Sequence, residues 1–314
     1  MYYPYLRARQ FELIALRELV QANAIQSNIM PVLEPVKNTF NSLNLAHSIF
    51  VENGMKVFLV TNPICGEIKD DADSILEYIY NGDAAKNNYI PAFHYQDNFE
   101  YIQEKINQFN IKSCLIIGLG NFTDENGLKK ILEANEAVTH IMLADPHKYR
   151  VLDRYIKRTS KKYIKLDDLF EKQERNADFL DILEHKYTEE HLYYKDEGYH
   201  GIADFTLMPS EFIDGGSTPR AVVIHLTYIK KGANNEVWIR HFTSDTNDSI
   251  ANVQGKFGEA AKKAITFIKS EGLKNLALDE LDSYYTEGRY PGLGIVKKIS
   301  IKNHLLVMND AVAE

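Results

Sequence analysis

Two cysteines, Cys65 and Cys114, are all that the 314 residues contain. That is too few for a disulfide framework, and they lack the paired spacing of a thiolate metal site. A reducing compartment follows. No apolar run approaches the roughly 18 residues that span a bilayer. The opening "MYYPYLRARQ" has no apolar core behind a basic start, so neither a membrane span nor a secretory leader is expected and the chain reads as cytoplasmic. Long basic runs are also missing. The net charge of −8 argues against unspecific binding to nucleic-acid backbones, which rests on clustered Lys and Arg. The basic segment "YRVLDRYIKRTSKKY" (149–163), with Arg150, Arg154, Lys157, Arg158, Lys161 and Lys162, reads as a solvated face rather than a phosphate contact. No Gly-x-Gly-x-x-Gly follows the first strand-like segment, so dinucleotide binding has little support. Internal repeats and low-complexity segments are absent too.

What is present is apolar mass and rhythm. Hydrophobic residues make up 45% and charged residues 25%, enough for a large core. Eight β-rich runs recur: "IMPVLEPV" (29–36), "KVFLVTN" (56–62), "YIPAFHY" (89–95), "SCLIIGL" (113–119), "HIMLADP" (140–146), "KYIKLDD" (162–168), "GIADFTLM" (201–208) and "AVVIHLTYI" (221–229). Between most of them stand helical patterns opened by Asp or Thr caps, such as "DADSILEYIYNGD" and "TDENGLKKILEANEAV". Strands alternating with helices predict an α/β fold, a (β/α)8 TIM-like barrel, with an open doubly wound sheet as its competitor. Three additions are expected: a helix over about 6–23, a long exposed insert after strand six at about 168–198, and a C-terminal extension from about 230 made of a hairpin and helices. The whole reads as one domain over 1–314. The weakest joint is "PSEFIDGGSTPR" (209–220), which must carry a parallel crossover with no helical pattern.

Strand alternation sorts the side chains by face. One face of successive strands collects Glu34, His94, Asp145, Lys165, Asp204 and His225, and the reading places these inside the barrel. Burying so many ionisable groups is costly unless they pair, hold a metal or meet water. They are the catalytic candidates. Carboxylates and imidazoles at the carboxyl-end mouth could bind a divalent metal that activates water against a phosphate ester, or transfer protons without one. The bland alternative is a satisfied network, with Asp204 beside His225 and Lys165 meeting Asp145 or Glu34. Glu34 and Asp145 each precede a proline at a strand end, which suits either chemistry or a helix cap. Asn62 and Asp167 also sit at strand ends. "HFTSDTND" (241–248) holds His241, Ser244 and Asp245, a spacing better suited to a capped helix than to a triad. "GLGNFTDENG" (118–127) reads as a tight turn before a helix rather than a phosphate cradle.

"MYYPYLRARQFELIALREL" with "PVLEPVK", and later "GIADFTLM", "AVVIHLTY" and "IRHFTSD", resemble the motif blocks of the phage-type beta protein family, uncharacterised proteins of bacteria, prophages and phages. The matching positions include Tyr3, Pro4, Tyr5, Arg7, Gln10, Glu12, Glu34, Lys37, Asp204, His225, His241 and Asp245. The resemblance implies a barrel tied to phage defence or mobile elements, acting in a module with a protein partner, and it adds Arg7, Lys37 and His241 as binding candidates beside the strand-end Asn62. It carries no settled activity. Two readings stand: a metal-assisted hydrolase of a phosphate ester or nucleotide, and an inert scaffold in a two-protein module.

Overall fold

The computed structural model describes residues 1–25, 27–69, 71–81, 88–215 and 219–313. The chain divides into two compact units. Met1–Leu13, Gln26–Asp168 and Glu190–Phe205 form the first; Ile14–Ile25, Leu169–Glu189 and Thr206–Glu314 form the second.

The first unit is a barrel of eight parallel strands: β1 (Tyr5–Leu6), β2 (Val32–Leu33), β3 (Val57–Val60), β4 (Tyr89–His94), β5 (Cys114–Gly118), β6 (Val138–Ala144), β7 (Lys162–Asp167) and β9 (Gly201–Asp204), in that order around the sheet. The strand β8 (Glu184–Thr188) lies in the other unit. Tyr2 closes the ring, bridging Ile29 on one side and Ile202 on the other. Across that seam the Tyr3 amide donates to the Ile202 carbonyl at 2.8 Å. Gly201 makes the approach feasible, because a Cβ there would stand 2.7 Å from the Met1 carbonyl oxygen.

Helices α2 (Asn41–Glu52), α3 (Ala72–Tyr80), α4 (Phe99–Gln108), α5 (Glu125–Ala134) and α6 (Arg150–Ile156) follow strands β2 to β6. Asp71 caps α3 through the Ser74 amide and Asp124 caps α5 through the Gly127 amide, as the Asp-x-x patterns predict. Gly82 and Asp83, the end of the predicted third-helix segment, lie outside the described residues. "GLGNFTDENG" is the strand-to-helix turn from β5 to α5.

Alternation places Tyr5, Val32, Phe58, Ala92, Ile117, Met142, Leu166 and Ala203, one from each barrel strand, in a single buried cluster with Tyr3 and Phe205. Residues from all eight strands can meet only in the lumen. The barrel interior is therefore mainly apolar, each large side chain contributing roughly 1.5–3 kcal/mol by burial. Here the face assignment is corrected. Ala203 and Phe205, expected outside, point in, and Ile202 and Asp204 point out. The same inversion applies to β7, where Ile164 and Leu166 line the lumen and Lys165 does not, and to β6, where Met142 does. The physical reason is the cost that made a charged lumen suspect: on the outer face Lys165 and Asp204, though buried, find partners in Glu190 and the Tyr2 hydroxyl.

Two further corrections concern which segments are strands. The barrel's first strand is Tyr5–Leu6, at the start of the span expected to be helical from about residue 6; α1 starts later, at Gln10–Gln21. "AVVIHLTYI" is not the eighth barrel strand. It forms β10 (Val223–Ile229), which pairs antiparallel with β11 (Val237–Thr243), and β11 pairs antiparallel with β8. The suspect link 209–220 thus has no parallel crossover to make; its residues 216–218 lie outside the described residues.

The second unit holds that three-stranded sheet and the helices α8 (Val253–Glu271), α9 (Leu276–Thr286) and α10 (Leu293–Ala313). The hairpin expected at "KKGANNEVWIRHFTSD" is present, with Asn234 and Asn235 at φ 51° and 61° in its turn. The helix α9, capped by the Asn275 side chain on the Ala277 and Leu278 amides, was not anticipated. The short helix α7 (Glu190–Tyr193) belongs to the first unit. In place of the long exposed insert expected at 168–198 stand a 3-10 turn at Asn176–Leu180, β8 and α7, with Phe179, Tyr187 and Tyr194 buried. Among the described residues no helix is long and apolar enough to cross a membrane.

Candidate functional site

Two residues beyond the lumen-facing Tyr5, Val32 and Ala92 come Arg7, Glu34 and His94, so period-two alternation carries all three to the carboxyl-end mouth of the barrel. They converge there with Tyr5. The Tyr5 hydroxyl donates to Glu34 Oε2 at 2.8 Å and lies 3.0 Å from His94 Nε2. Arg7 forms an ion pair with the same Glu34 oxygen. Glu34 Oε1 accepts from the Ile64 amide at 2.8 Å and stands 3.4 Å from His94 Nε2. The Arg7 guanidinium lies 5.2 Å from the Tyr5 ring centre and 5.5 Å from that of Phe205. Asn62 locks the backbone of His94 from both sides, donating to its carbonyl at 2.8 Å and accepting from its amide at 2.7 Å.

Burial first, then the Arg7 charge, pushes the His94 imidazole down to about 3, so it is neutral at physiological pH. With the Tyr5 proton committed to Glu34, hydrogen-bond logic assigns the remaining His94 proton to Nε2, directed at the Tyr5 oxygen. Burial also raises the Tyr5 phenol, and Arg7 only partly offsets it. Cys65, half-buried near Arg7, Arg9 and Glu12, has its thiol raised by burial and is no thiolate nucleophile at neutral pH. The result is a chain Arg7–Glu34–Tyr5–His94 that couples a cation, an anion, a phenol and a neutral imidazole in a dry setting.

The donor set does not suit a divalent metal. Glu34 already accepts from a guanidinium, a phenol and an amide, and a cation would have to displace Arg7. Among the described residues no group of three or more His, Cys, Asp or Glu is arranged to hold a metal ion. Proton transfer and anion binding are what this arrangement can do.

The other candidates lie elsewhere. Asp145, at the end of β6 with φ 46°, is an exposed partner of Lys148 at 2.6 Å. Lys165 faces outward and pairs with Glu190 at 2.7 Å. Asp204, also outward, accepts from the Tyr2 hydroxyl at 2.8 Å, and sits opposite Asp167 in the β7–β9 register. Burial, strengthened by Glu190, Asp204 and Asp145 and opposed by Lys165, pushes the Asp167 carboxyl up to about 7. Lys37 makes an exposed ion pair with Glu67. The expected Asp204–His225 pair does not exist, because His225 belongs to the second unit, on β10. There its Nδ1 lies 2.7 Å from Nδ1 of His241, its cross-strand neighbour on β11. The ring of His185, from β8, is 5.3 Å from that of His241. Asp245 pairs with Lys263 at 2.7 Å, while Ser244 Oγ donates to the Thr246 carbonyl, so His241, Ser244 and Asp245 make no triad.

Arg7, Glu34, Asn62 and His94 were sequence candidates and lie together here, whereas Tyr5, which holds them together, was marked only as a position of the motif resemblance and not as a site residue. Its two-residue strand shows no alternation from which a face could be read. Comparison with protein-family models found no match, and neither did comparison with curated proteins.

Proposed function

We propose that this chain is a barrel enzyme that performs metal-free acid–base chemistry on a small anionic substrate, a phosphate ester or nucleotide. We place it in the phage-defence or mobile-element setting, with a partner protein, that its motif resemblance implies. The observation that supports the chemistry is the Tyr5 hydroxyl placed between Glu34 and His94 at 2.8 and 3.0 Å, with Arg7 on the same carboxylate. Barrel enzymes carry their chemistry at this end.

Arg7 supplies fork-like donors suited to phosphate oxygens. A dianion brought beside His94 favours its charged form and offsets the burial and the Arg7 charge that depress it, which makes the imidazole a competent acceptor for a proton from attacking water. Glu34 and Tyr5 keep the ring oriented, and Asn62 fixes the backbone that carries it.

One observation favours a second reading, an inert polar plug: Glu34 is 0% and His94 1% exposed, and each is hydrogen-bonded. The two readings separate in one experiment. The purified chain, treated with EDTA, is assayed for phosphate release from p-nitrophenyl phosphate and a nucleotide panel, alongside His94→Gln and Arg7→Met, with melting followed for all three. The enzyme reading expects metal-independent turnover that falls about 100-fold or more in His94→Gln while the fold survives. Absence of turnover, together with a large loss of stability in both variants, would leave the plug.

A further inference from the structure

The second unit contains a cavity of about 1060 Å3 whose walls come from the segment after β7, from β10 and from α10. We propose that this cavity is a binding site for a nucleotide-class ligand, one with a planar heteroaromatic base and a phosphate, separate from the barrel-mouth chemistry and independent of it.

The apolar part of the wall is aromatic. Phe170 and Phe179 both line it and both pack edge-on against His225, with ring centres 5.2 and 4.8 Å away. Such a surface accepts a flat ring by offset or edge contact. The polar groups within it are few, and two of them have unused capacity. His225 spends Nδ1 on His241 and, among the described residues, makes no hydrogen bond through Nε2. Ser300, on α10, is 4% exposed and lines the cavity, yet its hydroxyl has no hydrogen-bond partner among the described residues. Both groups open onto the cavity, and a heteroaromatic base carries the donors and the acceptors that would engage the Ser300 hydroxyl and His225.

Charge gives the other half of the ligand. Lys172, Arg175, Arg220 and Lys297 line the same cavity against only Glu174 and Asp248. Lys172 and Arg175 are already engaged, with Glu211 and Asp178 at 2.8 Å each. Arg220 is exposed and makes no ion pair among the described residues, so it is the cation set to receive a phosphate. The volume matches sites for drug-sized ligands, which combine apolar walls with a small number of placed polar groups.

The test is titration calorimetry of the full chain with ATP, adenosine, inorganic phosphate and palmitate. Saturable ATP binding is expected, with inorganic phosphate much weaker. Arg220→Glu, at an exposed position, should weaken ATP about tenfold or more while changing adenosine by less than about threefold. Ser300→Leu, checked for an unchanged melting temperature, should weaken both. Arg7→Met, at the barrel mouth, should remove at most a second, separate ATP-binding event and leave the event that Arg220→Glu weakens as it was. The proposal is overturned if ATP does not bind, if palmitate binds in its place, or if Arg7→Met removes ATP binding while Arg220→Glu does not. The last result would assign the nucleotide to the barrel mouth instead.

Discussion

Asp167 and Asp204 face each other across the β7–β9 register on the outer side of the barrel, and only one of them has a phenol to donate to it. Burial first, and then the neighbouring carboxylates of Glu190, Asp204 and Asp145, hold the Asp167 proton up to about pH 7. The native state then binds more protons than the unfolded chain, whose aspartate ionises near 3.8. Stability therefore falls as pH rises between those two values, and the penalty is complete above 7. Asp167→Asn should stabilise the protein at pH 8 by on the order of 1–2 kcal/mol, with the gain vanishing near pH 4. Urea unfolding at the two pH values checks this; an equal gain at both would sink the account. The residue also shows why charge pattern alone misplaced the site. Lys165, Asp167 and Asp204 share a face, as alternation says, but which face looks inward is decided by the apolar set opposite them, Ile164, Leu166 and Ala203, which packs with residues of the six other barrel strands.

On α10 a single turn separates Lys298 from Lys302, and both reach the same two carboxylates. Glu18 receives them at 2.8 and 2.7 Å, and Glu280 at 2.7 Å each. The lysine side chains are only 8% exposed, so removing one carboxylate leaves charge half-compensated in a poorly hydrated place. Glu280→Gln is expected to cost about 1–3 kcal/mol in urea unfolding, and a loss below about 0.5 kcal/mol would mean that the four charges act as an ordinary exposed network. Elements of this length were the legible ones. The strands β3 to β7 were found from their apolar runs, and α5 and α8 from spacing and capping residues. The two-residue strands β1 and β2 offer too few positions for a period, and "IMPVLEPV" was noticed only because apolar residues surround Val32 and Leu33. Strand β10 was seen as a strand but given the wrong partner. Alternation within a segment says nothing about which neighbour it pairs with, and only the missing helix at 209–220 hinted at the antiparallel answer.

Both units bury neutral imidazoles, and this shapes the acid behaviour of the whole molecule. Burial is the leading cause in each case: His94 and His140 in the barrel unit and His225 in the other are pushed down to about 3, and His241 to about 2. The unfolded chain takes up these protons as pH falls below about 6.5, whereas the native state refuses them until far lower, so stability is lost progressively from pH 6.5 downward. Between pH 6.5 and 5 the combined loss should be on the order of 5 kcal/mol, a large share of ordinary domain stability. Urea midpoints at pH 7.5, 6 and 5 should fall in that order, and a flat series would contradict the buried-neutral assignment. The seam at Tyr2 has a different consequence, one that belongs to synthesis. Ile202, its partner across the closure, leaves the ribosome roughly 10 to 40 s later at roughly 5–20 residues per second. For all that interval the growing sheet has an unclosed rim, and no stretch of nascent chain ending before Ile202 can complete the ring. Closure is thus a late, single event in the life of each molecule, and the emerging chain is a natural client for holding chaperones until it occurs.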